Sequence, residues 1–476
     1  MSAIPVRWMA IVALLACSDS GPTGAPGPQG PPPAEQIQVN GAVRYQKIDG
    51  WATHLRMWEE DKAGDRYDPS VETYAAQVYR FLVDSVGINA VRLEIPSGME
   101  NPTNRWKEFR EGRMSYSTWQ KTRFEKINDN GDPNAVNASG FVFDNLDFRV
   151  QYMLAPLKQA LEAKGEKLYV NVNYTDFRWD ETIAQGSLSH ANNPAEFAEF
   201  VNTSFVRLRD KYGITPDAFE VILEPDNTEG WRGGNIGRGL VAATDRLKAN
   251  GFTPEVIAPS NSTMGGAISY FDEMMAVPGA ASRVGNFAYH RYGSESSSDL
   301  ATIRARAKAA GIKTAMLEKV DAGIDVLLED LTVGNVSGWQ QWAAASSTKT
   351  SDNGGYYARV DMSNPTKPVS MAKHSAQLAQ VFRFVRRGAV RVDATSGGDK
   401  QSVAFVNADG RYVVVVRTRG AVGEFGVIGL PAGRYAQRFV SDERRTESTD
   451  AVEIPSNGFV AANVKEAGVL TIYGVP

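Results

Sequence analysis

Cysteine is almost absent: Cys17 is the only one in 476 residues, so no disulfide can form within the chain. Histidine is scarce as well. His54, His190, His290 and His374 stand far apart and show no paired metal-ligand spacing, which argues against a zinc hydrolase. Positive charge is not in excess either, since 51 Lys and Arg face 55 Asp and Glu for a net charge of -4. That balance supplies no basic face for a phosphate backbone, and nucleic acid is not an expected partner. Beyond the N-terminus no apolar run is long enough to span a bilayer. Neither a phosphate-cradling glycine loop nor a Gly-x-Ser-x-Gly elbow stands near a predicted strand end, and Gly230-Trp231-Arg232-Gly233-Gly234 reads as a rim loop. No metal and no cofactor is expected.

What is present at the N-terminus reads as a processing signal. Arg7 precedes an apolar run from Trp8 to Leu15, which closes on Leu14-Leu15-Ala16-Cys17 and resembles the lipobox of bacterial lipoproteins. The expectation is a signal peptide over 1–17, lipidated at Cys17, that leaves an exported protein anchored to a bacterial membrane; a soluble protein with a cleaved signal is the alternative. Residues 18–36 form a Gly/Pro-rich, collagen-like linker. Its four triplets fit a polyproline II tether of roughly 3 Å per residue better than a trimerising helix, so a monomer is expected.

The length suits two domains. From Ser85 onward one phrase recurs: a helix, a glycine, then a short apolar strand. Gly87 precedes Ala90–Ile95, Gly165 precedes Leu168–Asn173, Gly213 precedes Ala218–Glu224, Gly251 precedes Glu255–Ala258, and Gly311 precedes Thr314–Leu317. Glycine just past a helix takes the left-handed backbone that closes it, so each phrase marks a helix-to-strand junction of a parallel sheet. Asn193-Pro194-Ala195-Glu196 supplies an N-cap, a first-turn proline and a capping-box glutamate for a helix to about Tyr212. With further strands at Ile48–Ala52, Asn286–Tyr289 and Gly338–Trp342 the count reaches eight. The expected fold is α/β, a (β/α)8 TIM barrel over 47–388.

After Arg387-Gly388 the hydrophobic period becomes two. Val390–Asp393, Val403–Val406, Tyr412–Arg417, Arg434–Val440 and Val469–Tyr473 read as strands of a C-terminal β-sandwich over 389–476, with Asn407-Ala408-Asp409-Gly410 as a hairpin turn. The alternating segment 37–46 is expected to complete that sandwich as its N-terminal strand.

Two glutamates end apolar strands of the barrel: Glu224 in Phe219-Glu220-Val221-Ile222-Leu223-Glu224-Pro225-Asp226-Asn227, and Glu318 in Met316-Leu317-Glu318-Lys319. Barrel chemistry gathers at the carboxyl ends of strands, so the two read as an acid/base and nucleophile pair for glycoside hydrolysis. Glu224 is expected to be protonated at rest and Glu318 ionised. Flat sugar faces pack on indole, and Trp58, Trp106, Trp119, Trp179 and Trp231 fall in stretches read as rim loops, with Trp342 as the cleft floor. The long insert from Ser97 to Asn145 is expected to shape substrate choice.

In this order the motifs resemble clan A glycoside hydrolases, and most closely family 30. Gln46-Lys47-Ile48-Asp49-Gly50-Trp51 resembles that family's first strand, Glu220-Val221-Ile222-Leu223-Glu224-Pro225 its fourth, Tyr289-His290-Arg291-Tyr292 its sixth and Leu317-Glu318 its seventh. Phe382 to Val392 resembles its passage into the sandwich. The resemblance implies a retaining β-glycosidase acting on an extracellular or periplasmic polysaccharide, with β-linked glucan, xylan, galactan and fucoside substrates all open. It places Arg92 at the offset of the arginine that hydrogen-bonds the nucleophile; on the sixth strand or its exit the Tyr292 hydroxyl is expected to touch the nucleophile and the His290 imidazole to orient sugar. Asn227, Trp179, Trp231 and Trp342 are expected to line the sugar site. One departure stands out: the clan places asparagine before the acid/base, to contact the sugar 2-hydroxyl, and here that residue is Leu223. Either Asn171 or Asn173 substitutes, or the substrate differs at that carbon, or turnover is weak. A non-catalytic carbohydrate-binding surface lipoprotein on the same fold is the alternative reading.

Overall fold

The computed structural model describes residues 29, 33–177, 188–228, 230–293, 295–395 and 397–476. Cys17, nearly all of the collagen-like tract and Trp179 lie outside the described residues.

Eight parallel strands close into a barrel, in chain order Gly50–His54, Ala90–Pro96, Tyr169–Thr175, Ala218–Glu220, Glu255–Asn261, Val284–His290, Lys313–Glu318 and Gly338–Ser347. Each pairs with the next, and strand eight pairs with both seven and one, so no edge remains. Gly213 and Gly311 close the helices before strands four and seven with φ of 65° and 68°, as the helix-glycine-strand phrase predicts. Helix Pro194–Tyr212 forms where expected, but Asn193 does not cap it. The Asn193 amide donates to Ser189 O at 2.8 Å instead.

Strand four is shorter than the apolar run implies, ending at Glu220 and not at Glu224. Beyond it the backbone still bonds to both neighbours, with Val221 N donating to Ile257 O, Leu223 N to Tyr174 O and Glu224 N to Ser260 O. The insert after strand two is no open loop. Helices Arg105–Arg110 and Tyr116–Thr122 enclose an aromatic cluster in which Trp106 and Trp119 both pack on Phe109.

The C-terminal region is a nine-stranded sandwich joined through Gln36–Lys47. The start of that strand runs parallel to Gly423–Ile428, and the rest runs antiparallel to Val390–Ala394, so one chain segment belongs to both sheets. Ile37 and Val39 enter a core with Val392, Val414, Phe425 and Leu470. The predicted hairpin forms, with Asn407 N donating to Arg411 O. Strands Gly423–Ile428, Thr446–Ile454 and Phe459–Val464 were not predicted; the second is exposed over most of its length and carries little hydrophobic signal.

Candidate active site

Glu224 is held at the mouth of the barrel by the backbone bonds that flank it. Its φ of 46° and ψ of 63° are left-handed, uncommon for a residue with a side chain and costing on the order of 1–3 kcal/mol. The turn Pro225–Asn227 then brings the Asn227 amide to Glu224 Oε2 at 2.8 Å. On the other oxygen, Oε1, lies His290 Nδ1 at 2.9 Å, delivered from the end of strand six.

Glu318 ends strand seven, with a register irregularity after Met316. Arg92 from strand two donates to Glu318 Oε2, and its other terminal nitrogen donates to Leu317 O at 3.3 Å. The Tyr292 hydroxyl donates to Glu318 Oε1 at 3.1 Å and accepts from Val320 N at 3.2 Å. One oxygen of Glu224, one of Glu318 and a ring nitrogen of His290 all lie within 4.8 Å of one another.

Below this pair sits a third carboxylate that sequence reasoning did not assign a role. Glu220 is fully buried and accepts from Asn171 Nδ2 at 2.8 Å and Ser260 Oγ at 2.6 Å, with Arg92 Nη1 at 3.8 Å. Its signal was legible: a glutamate inside an apolar barrel strand stays ionised only if it is paired. Ser260, whose hydroxyl also lies 3.3 Å from His290 Nε2, carried no such signal.

Burial is the largest influence on both mouth carboxyls, and it raises both. In Glu224 the hydrogen bond and charge of His290, followed by Asn227 and Arg92, outweigh it and bring the group below the ordinary carboxyl value. In Glu318 the charges of Arg92 and His290 do not overcome burial, to which Glu224 adds, and the group lies above that value. This is the reverse of the split expected from sequence. The cause is His290, which the structure sets directly against Glu224.

The architecture has known counterparts. Residues 388–421 match the glycosyl hydrolase family 30 beta sandwich domain. The catalytic domain of a family 30 xylanase C from Talaromyces cellulolyticus superposes with a TM-score of 0.64 at 16% identity, covering 93% of this chain and 100% of that one. A family 30 endoxylanase from Clostridium papyrosolvens C71 gives 0.64 at 18%, with the same coverage. An endo-β-1,6-glucanase gives 0.61 at 16%, covering 93% and 94%. The fold is that of glycoside hydrolase family 30. By sequence alone, none of the curated proteins matches the chain.

On this family 30 fold the other predicted site residues divide. Arg92, Asn227, His290 and Tyr292 converge on Glu224 and Glu318. Asn171 does not reach them, because its amide is committed to Glu220. Asn173, two residues further along strand three, is fully buried and neither amide atom has a partner among the described residues. Trp231 is no rim platform: it is fully buried against Tyr174 and Phe197, with its Nε1 on Asp176 at 3.4 Å. Trp106 and Trp119 are interior to the insert. Trp58 and Trp342 do face a cleft, of about 650 Å³, which opens at the ends of strands eight and one and is also lined by Arg56, Tyr116 and Tyr356. Trp342 packs on Tyr356 with ring centroids 5.4 Å apart.

Proposed function

We propose that the protein is a retaining β-glycosidase that hydrolyses a polysaccharide outside the cytoplasm. The observation that carries this reading is the approach of Glu224 and Glu318, whose nearest oxygens lie within 4.8 Å. Retaining enzymes hold their carboxyls about 5–5.5 Å apart, whereas inverting ones leave roughly 6.5–9.5 Å for a water molecule.

Glu318 is the nucleophile, its two oxygens oriented by Arg92 and Tyr292 toward the anomeric carbon. As the glycosidic bond breaks, the leaving oxygen takes the proton held between Glu224 and His290, and a glycosyl ester forms on Glu318. Water, deprotonated by Glu224, then attacks that ester and restores both carboxyls. Xylanases and an endo-β-1,6-glucanase share the fold, so xylan and β-1,6-glucan head the substrate panel.

The test is reducing-sugar release across β-glycans, with the anomer of the nascent product read by proton NMR. A β product and loss of turnover by orders of magnitude in Glu318→Ala support the proposal. An α product would show inversion. Leu223, an apolar side chain where the clan uses asparagine, favours a second reading, a carbohydrate-binding protein. Ligand affinity without turnover on any glycan would establish that one.

The lipid anchor belongs to the same proposal. Incorporation of labelled fatty acid, and its loss in Cys17→Ala with release from the membrane fraction, test it. Sedimentation of the chain with and without residues 21–33 tests the monomer.

A further inference from the structure

The insert after strand two meets helix Pro194–Tyr212 through an unusual density of oxygen atoms. Glu100, Asp129 and Glu196 each offer a carboxylate oxygen, and these lie within 4.8 Å of one another. Asp129 Oδ2 accepts from Asn130 Nδ2 at 3.1 Å and from Asn137 N, and the other contacts are few. Asp129 N donates to Glu100 Oε1 at 3.3 Å, His190 Nε2 lies 2.9 Å from Glu100 Oε2, and Asn128 Nδ2 reaches Glu196 Oε1 at 3.4 Å.

A separate observation concerns Glu199, one helical turn after Glu196. It is 1% exposed, and neither of its oxygens has a hydrogen-bond donor among the described residues. Glu196 and Glu199 stand three residues apart on helix Pro194–Tyr212, so their side chains share one helix face. Arg246 Nη2 comes no nearer than 3.8 Å to Glu199 Oε1. Asp129 Oδ1, Glu196 Oε2, Asn128 Oδ1 and Asn202 Oδ1 are likewise buried without a donor. Every one of these unsatisfied atoms is an acceptor. Buried acceptors without donors are costly, and a concentration of them on carboxylates is relieved by a cation.

We propose that Glu100, Asp129, Glu196 and Glu199 bind a calcium ion, with the amide oxygens of Asn128 and Asn202 available to complete its shell. The donors are all oxygen, with no thiolate and no imidazole directed at the centre, which suits a hard cation. Calcium takes six to eight such ligands in flexible geometry, whereas magnesium keeps several waters and demands a regular octahedron. The ion joins the insert to a helix of the barrel. Glu100 and Asp129 come from the insert, Glu196 and Glu199 from the helix that leads into strand four, and His190 links Glu100 to the Tyr174 hydroxyl on strand three at 2.8 Å.

Full-length protein is stripped with EDTA, dialysed against calcium chloride and assayed for bound metal and thermal midpoint. The expected result is one Ca2+ per chain and a midpoint that rises with calcium; Asp129→Asn and Glu196→Gln lose both the metal and the shift. Identical midpoints in EDTA and calcium, with no metal retained by the unaltered chain, overturn the site whatever the variants do. Undiminished calcium binding in both variants overturns the ligand assignment, and an equal shift with magnesium chloride overturns the choice of ion.

Discussion

His290 Nδ1 lies 2.9 Å from Glu224 Oε1, while its opposite nitrogen meets Ser260 Oγ, a hydroxyl already committed as donor to Glu220. Ser260 can therefore only accept, so Nε2 carries hydrogen. A neutral ring then presents a bare Nδ1 to Glu224, and the contact requires one further proton, held on Nδ1 or on the carboxyl. On the proposed mechanism this is the proton that passes to the leaving oxygen.

His290→Gln tests this relationship through pH. His290 is the main influence drawing Glu224 down against burial. The active form needs Glu224 protonated and Glu318 ionised, and because Glu224 has the lower pKa of the two, the acid limb of kcat/KM follows Glu224 and the alkaline limb follows Glu318. Removing the imidazole should move the acid limb to higher pH and lower kcat. A limb that stays where it was would separate His290 from the acid.

Arg92 plays the corresponding part for Glu318, as the first of the influences opposing burial there. In Arg92→Met the alkaline limb, which follows the higher pKa of Glu318, should rise by about 1–3 pH units. The variant also leaves Glu220 and Glu318 without their shared cation, and stability should fall by roughly 3–5 kcal/mol. Unfolding midpoints and a pH profile on the folded fraction distinguish the two effects.

The sequence carried the barrel because helix closure by glycine and strand apolarity are local signals, repeated five times before Leu317. It carried Glu224 and Glu318 because both end apolar runs of the sequence, although only Glu318 ends a strand. It could not show that Glu224 adopts a left-handed backbone beyond the shortened strand, since that conformation is imposed by Ser260 and Tyr174 from neighbouring strands. Trp231 was misplaced because a glycine-rich context suggests exposure, whereas the indole fills a gap between Tyr174 and Phe197. Histidine spacing carries no signal for carboxylates that only the packing of the insert on a helix nearly seventy residues further on brings together.

Asn173 should separate activity from stability. Its amide is fully buried without a partner, and such a group costs about 1–3 kcal/mol relative to a satisfied one. With Leu223 unable to contact a sugar hydroxyl and Asn171 Nδ2 held by Glu220, Asn173, two residues further along the same strand, is a buried amide whose donor and acceptor are both free among the described residues. Asn173→Ala should leave the unfolding midpoint unchanged or higher while kcat/KM falls. A parallel loss of stability and activity would make it a packing residue.

Glu94 predicts how the barrel responds to acid. It is buried beside Glu220's layer, with Arg123 Nη2 at 2.8 Å from Oε1 and Arg149 Nη2 at 3.6 Å from Oε2. Burial alone would raise its pKa, but Arg123, then Arg149, carry it well below the ordinary carboxyl range. His54, 3.8 Å away, adds a smaller lowering influence after the two arginines, while burial and the charge of Arg92 hold its own pKa well down. A folded-state pKa below the unfolded one gives stability that is present above the unfolded value, about 4.3 for glutamate, and is lost as pH falls toward the folded value. Glu94→Gln should therefore cost roughly 1.5–3 kcal/mol at neutral pH, the worth of a hydrogen bond to a charged group, because Arg123 keeps Glu60 at 3.6 Å and Arg149 keeps Glu59 at 3.2 Å. The gap to the unaltered protein should narrow in acid, as the native carboxylate is itself titrated. Denaturant midpoints at neutral pH and in mild acid check the sign, and a gap that is constant or widens with acid would place the stability elsewhere than in this ion cluster.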